Sequence, residues 1–304
     1  MKEYQAPKYV PEVPTMTAHR HFHYHASAHA MSGELTRPVQ RVIEVQAGIS
    51  LPSTGGVGSS HVENFRVDEV VSFKRAYSHV AGSVKEENNK KIHTTHATAT
   101  VEGLNILDVV TADRVVARLS SSFEEPPPEK PGPFEGKVLQ VGSKFVNLSI
   151  AGYEVDVELD HELLSLELGT FAAVRDSFKA RGSTLRQIAD ETLKARGVNR
   201  ALRDLLAPEG VLLCSIVKEV HFKEPGFCEP HEDKNKKKFI PPGVQPIGRH
   251  AYHVVDFGDV FLAEVLCQHG RKTLTMLRIE LGSPNGGGFI AAEASSDGEP
   301  PWGS

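Results

Sequence analysis

Cysteine, tryptophan and methionine are scarce in this chain of 304 residues, which holds three Cys, one Trp and four Met. Cys214, Cys228 and Cys267 include no vicinal pair, so a disulfide framework, a zinc ribbon and a CxxC redox motif are excluded. They fit thiols packed as small hydrophobes. Long apolar runs are missing as well, and none approaches the roughly 20 residues of a membrane-spanning helix. Nor does one sign of charge dominate. The 34 Lys plus Arg against 39 Asp plus Glu leave a net charge of −5, the wrong balance for a generic nucleic-acid binder. The chain has no GxSxG elbow, no GxxxxGK[ST] loop and no strand-borne GxGxxG, which argues against serine-hydrolase and nucleotide-dependent chemistry. The first residues, punctuated by Pro7, Pro11 and Pro14, lack the apolar segment of a Sec signal. A cytoplasmic location is therefore expected, with non-Sec export left open.

What remains is an ordinary globular composition, 39% hydrophobic and 24% charged, long enough for one large domain or two. Residues 1–17 form a Pro-punctuated arm. From His19 to Met31 the chain alternates: Phe22, Tyr24, Ala26, Ala28 and Ala30 share one parity, while His21, His23, His25, Ser27 and His29 share the other. That is the period of a strand with two unlike faces. A second strand is predicted at Val39–Val45, followed by a turn-rich loop at Pro52–Gly58.

An internal repeat governs the next region. Val62–Arg75 lies over Val101–Arg114 without a gap at an offset of 39 residues. Val62, Glu63, Val70, Val71 and Arg75 are matched identically by Val101, Glu102, Val109, Val110 and Arg114. A weaker third copy at Phe145–Ile150 sets Asn147 and Leu148 on Asn64 and Phe65. Such self-similarity marks duplicated supersecondary units, here of strand–turn–strand form.

These features divide the chain into a β-rich repeat region at 18–123, a Pro-rich linker at 124–134, a second β-rich region at 135–285 and a flexible tail at 286–304. The second region carries a helical insertion at 162–207. Within it, Leu163, Leu164, Leu166, Phe171, Val174 and Phe178 have helical spacing. Ser183–Gly197 reads as a helix capped by Ser183 and stopped at Gly197, and Ala201–Leu206 as a further short one. Strands are predicted at Val211–Phe222, His250–Phe257, Asp259–Gln268 and Lys272–Leu281. The fold class is mainly β, a β-solenoid or a β-sandwich built on the repeat, with an α-helical insertion.

Chemistry concentrates at His19–His29, which holds five of the fifteen histidines. On a strand, His21, His23 and His25 project from one face at steps of roughly 6.6 Å. Imidazoles so placed can share zinc or another divalent transition metal, with His93, His96, His250 and His253 as candidates to complete the site. Asp108 with Asp113, and Asp156 with Asp160, are carboxylate pairs of the kind glycoside cleavage uses.

Val62–Arg75, Thr98–Leu119 and Gly142–Gly152 resemble stretches of uncharacterised bacterial β-rich proteins of the choice-of-anchor surface type. Leu274–Pro284 is similar to another uncharacterised bacterial group. The resemblance implies a β fold and a structural or adhesive role, and it transfers no catalytic residue. The leading expectation is a non-enzymatic β scaffold that self-assembles as a homo-oligomer or binds a protein or polysaccharide partner. The alternatives are a metal-dependent enzyme using the His strand, with the helical insertion as a lid, and a carbohydrate-active β-solenoid.

Overall fold

The computed structural model describes residues 22–88, 90–125, 136–163, 169–180, 182–198, 211–224 and 239–297. In chain order the elements are β1 (Ala26–Arg37), β2 (Arg41–Gln46), β3 (Ile49–Ser50), β4 (Gly56–Val67), β5 (Val71–Glu87), β6 (Lys90–Ile106), β7 (Val110–Glu124), β8 (Lys137–Leu139), β9 (Lys144–Val146), β10 (Leu148–Ile150) and β11 (Tyr153–Leu159). Two helices follow, α1 (Phe171–Lys179) and α2 (Thr184–Ala195). The remaining strands are β12 (Val211–Ser215), β13 (Val217–Phe222), β14 (Val244–Pro246), β15 (Ala251–Val254), β16 (Gly258–Gln268), β17 (Arg271–Leu281) and β18 (Gly286–Asp297). The mainly β expectation with a helical insertion agrees with this order.

Two antiparallel sheets divide the strands. The first runs β14-β15-β16-β17-β18-β1-β2, with β12 on β16 and β3 on β1. The second runs β13-β11-β10-β7-β6-β5-β4, with β8 and β9 on β7. One apolar cluster draws on both: Ala28, Met31, Leu262 and Ala291 from the first, Ala99, Val101, Val115 and Leu148 from the second. Strands β1 and β18 lie against β6, and β17 against β7.

The alternation read at His19–Met31 holds for its inner face, where Tyr24, Ala26, Ala28 and Ala30 are buried. It then shifts by one, since Met31 and Leu35 are the next buried positions. The same slip crosses the sheet. Ala30 stands opposite Ala292, Ala292 opposite Met276, and Met276 opposite Ala263, between flanking pairs that keep their register. Ala263 and Ala292 are left-handed, with φ of 48° and 55°. One left-handed residue in a strand turns the following side chains to the other face. In β16, Val260, Leu262, Val265 and Cys267 thereby face the core, while Phe261 and Glu264 face outward.

The second sheet has a matching row. Register sets Asn64 against Lys74, Lys74 against Gly103, and Gly103 against Asp113. Asn64 and Gly103 are left-handed, at 55° and 64°. Beside this row, Glu63, Arg75, Glu102 and Arg114 pair in succession across β4, β5, β6 and β7. They form a charge ladder with contacts of 3.5, 3.9 and 2.9 Å. Opposite charges facing each other across strands stabilise a sheet by a few tenths of a kcal/mol each.

Helix α2 begins as its sequence predicts, with Ser183 Oγ accepting from Arg186 N, and Gly197 past its end is left-handed at 68°. Leu185, Ile188, Ala189, Thr192 and Leu193 form its buried stripe at the 3, 4, 7, 8 spacing, and it lies against β12. Helix α1 starts at Thr170, whose hydroxyl caps Ala173 N.

Three expectations differ from what the fold displays. Val211–Phe222 is two strands, because Ile216 leads the chain from the first sheet to the second while Ser215 Oγ accepts from Val217 N and donates to Leu262 O. Residues 286–297, read as the start of a flexible tail, form β18 between β17 and β1. Its run of Gly and Ala gave little apolar signal, yet small residues suit close packing: a Cβ on Gly33 would stand 2.2 Å from Gly288 O. The division at 124–134 does not separate the sheets either, since β1–β3 belong with β14–β18. Ala201–Leu206, Cys228 and all of the linker except Glu124 and Glu125 lie outside the described residues.

Candidate functional site

The segment entering β1 presents two faces. His21 lies outside the described residues, and His23 and His25 are exposed. Between them Tyr24 turns inward, and its hydroxyl donates to His93 Nδ1 at 2.8 Å. His93 Nε2 donates in turn to Glu125 Oε1 at 2.7 Å, the tautomer that an acceptor-only carboxylate requires. Phe22 stacks on the His93 ring at 4.2 Å, with Phe123 5.5 Å from Phe22. Burial, reinforced by the Glu125 charge, raises the Tyr24 pKa, so the phenol stays a neutral donor. This relay ties the start of β1 to β6 and to the end of β7, and engages both nitrogens of His93.

The other candidate histidines are dispersed. His96 Nδ1 is hydrogen-bonded with Ser120 Oγ at 2.7 Å, and its pKa is lowered by burial and by the Arg118 and His79 charges. His253 Nδ1 lies 2.7 Å from Asp259 Oδ1. Among the described residues, no group of three His, Cys, Asp or Glu is placed to hold one metal ion. The carboxylates named as pairs serve turns and surfaces. Asp108 accepts from Asn105, Asp113 from Asn147, and Asp160 from the N–H groups of Glu162 and Leu163.

His250 belongs to a centre that sequence reasoning missed. The slip at Ala263 turns Glu264 outward, where Arg196, just past α2, bonds it through Nε at 2.9 Å and through Nη2. Arg278 Nε adds a bond at 3.0 Å, and His250 Nε2 stands 3.5 Å away. Arg278 also lies 3.9 Å over the Phe261 ring. Burial alone would raise the Glu264 pKa, but the hydrogen bonds and the two guanidinium charges outweigh it and hold it at about 2. A lone acid inside the apolar run Val260–Cys267 was the available signal.

Beside His25 opens a cleft of about 400 Å³ lined by His25, Ala26, Ser27, Ser50, Leu51, Arg271 and Ser295. On the core side Cys214 and Cys267 are buried, and the hydrogen bond with the Cys267 thiol, together with burial, raises the Cys214 pKa. Buried Lys272 donates to Val138 O at 2.7 Å, linking β17 to β8. No described helix is long and apolar enough to cross a membrane.

At the end of the second sheet, β4 pairs among the described residues with β5 alone. From Gly56 to Glu63 the pairing is unbroken, against Gly82 to Arg75, and Val57 is 73% exposed. Among the described residues, no strand lies beside the outer backbone groups of this stretch.

No curated protein and no solved structure matches the chain. A family model described as "Domain of unknown function (DUF8256)" matches residues 22–268, which takes in the relay, the β4 edge and Glu264 with Arg196 and His250, while Arg278 lies beyond the match. The chain belongs to that family.

Proposed function

We propose that the protein is a non-enzymatic β scaffold that assembles with a second copy of itself through the β4 edge. The observation carrying this reading is the eight-residue stretch Gly56–Glu63, regularly paired on one side and, among the described residues, unpaired on the other. Native edges are usually blunted by Lys, Pro, bulges or inward charges. Gly56-Val-Gly-Ser-Ser-His-Val-Glu63 has none of these and carries Glu63 as its one acid. Antiparallel pairing about a two-fold axis through Ser59 or Ser60 is self-complementary, since Glu63 then meets Gly55 or Val57 and no like charges face. The finer architecture goes with this reading: a two-sheet sandwich in which hairpins β4–β5 and β6–β7 descend from one duplicated unit. Their left-handed residues support it, with Asn64 and Gly103, and Asp68 and Leu107, separated by the same 39 residues as the sequence match.

Size-exclusion chromatography with light scattering on the full chain is the test. The expected result is a dimer that becomes a monomer in the Val57→Lys, Ser59→Lys double variant, both positions being exposed in the single chain. A wild-type chain that stays monomeric at high concentration, or a dimer indifferent to the two lysines, overturns the reading.

A further inference from the structure

We propose that the cleft beside His25 binds the oxyanion of a small hydroxylated molecule, a sugar phosphate or a sugar acid. Three serines, Ser27, Ser50 and Ser295, line the cleft, and they belong to a cross-strand row of hydroxyls that Thr273 continues. Register sets Ser50 against Ser27, Ser27 against Ser295, and Ser295 against Thr273, across β3, β1, β18 and β17. Ser295 Oγ is buried and accepts from Thr273 Oγ1 at 3.1 Å and from Arg271 Nε at 2.7 Å. Arg271 is held through Nε, and none of the side chains the structure describes engages its two terminal nitrogens. A guanidinium fixed on one edge offers the other as a fork that matches a phosphate or carboxylate. The Ser27 and Ser50 hydroxyls are likewise unengaged among the described residues, and each can both donate to and accept from a polyol. His25 stands at the rim as a further polar group, and Asp297 is the register partner of Arg271. About 400 Å³ falls in the lower range of small-molecule sites and admits a ligand of hexose-phosphate size.

None of the lining residues belongs to β4, so the cleft stands or falls independently of the assembly reading. The test is isothermal titration calorimetry on the full chain with inorganic phosphate, glucose 6-phosphate, glucuronate and glucose. Binding of glucose 6-phosphate or glucuronate, and none of glucose, is expected; the tighter of the two identifies the anion's source. Arg271→Gln should weaken binding at least about tenfold, the loss of one charge-assisted contact. Because Arg271 is exposed, this variant should keep the wild-type melting temperature. Ser27→Ala with Ser50→Ala should weaken the hydroxylated ligand while leaving inorganic phosphate unchanged. Absence of heat with all three anions, binding of glucose as tight as that of its phosphate, or binding unchanged in Arg271→Gln overturns the proposal.

Discussion

Glu264 is where a single side chain decides most. Its carboxylate, 2% exposed, is satisfied by Arg196 and Arg278 and stands beside His250. Removing the charge leaves two guanidinium groups without their common partner, a loss of about 3 kcal/mol or more for a pair this buried. Glu264→Gln should therefore lower the urea midpoint at pH 7. The pH dependence has a definite sign. A folded-state pKa of about 2 lies below the usual carboxylate value, so the stabilisation is fully present above about pH 5 and fades as pH falls towards 2. The stability difference between wild type and Glu264→Gln, measured by urea unfolding at stepped pH, should narrow over that interval; a constant gap would contradict the pairing. Residue-scale legibility was uneven for a physical reason. Burial of Tyr24, Ala26, Ala28 and Ala30 followed from their parity, because alternation is a local property. Tyr24 meets His93 across 69 residues and Glu264 meets Arg196 across 68, and no local pattern records such partners.

At the scale of elements, strand identity was well marked but strand shape was not. The matches of Glu63 with Glu102 and Arg75 with Arg114 acquire a physical meaning in the ladder they form across four strands. The left-handed residues beside that ladder were not legible, since Asn and Gly occur equally at ordinary turns. Gly103 tests why a kink tolerates few residue types. Its φ of 64° is costly for a β-branched side chain, whereas Asn adopts it readily, as Asn64 does at 55°. A Cβ there would also meet the flexible Lys74 chain at 2.7 Å, which can swing aside. Gly103→Asn should thus cost under about 1 kcal/mol and Gly103→Val about 2 kcal/mol or more by equilibrium unfolding. Equal costs would show that space, not backbone conformation, limits the site.

On the scale of the whole molecule, the question is whether the chain can be divided at its Pro-rich stretch. The composition around 124–134 invited a boundary, but pairing ignores it. β1 needs β18, joined from Ala26–Ser296 through Leu35–Gly287, and the second sheet continues from β7 into β10, β11 and β13. The apolar cluster draws on both sides of the stretch, so neither half closes a core alone. Pairings between opposite ends of the chain also carry a loop-closure cost that must be met before they contribute stability, which favours slow, all-or-none folding. Residues 22–125 and 136–304, produced separately, should each lack a cooperative thermal transition by circular dichroism. Mixed during refolding, they should recover one transition, because the contacts that define the fold cross between them. A cooperative transition in the isolated 22–125 fragment would instead establish that β4–β7 form an independent unit, and the shared core would then be a docking interface between two domains.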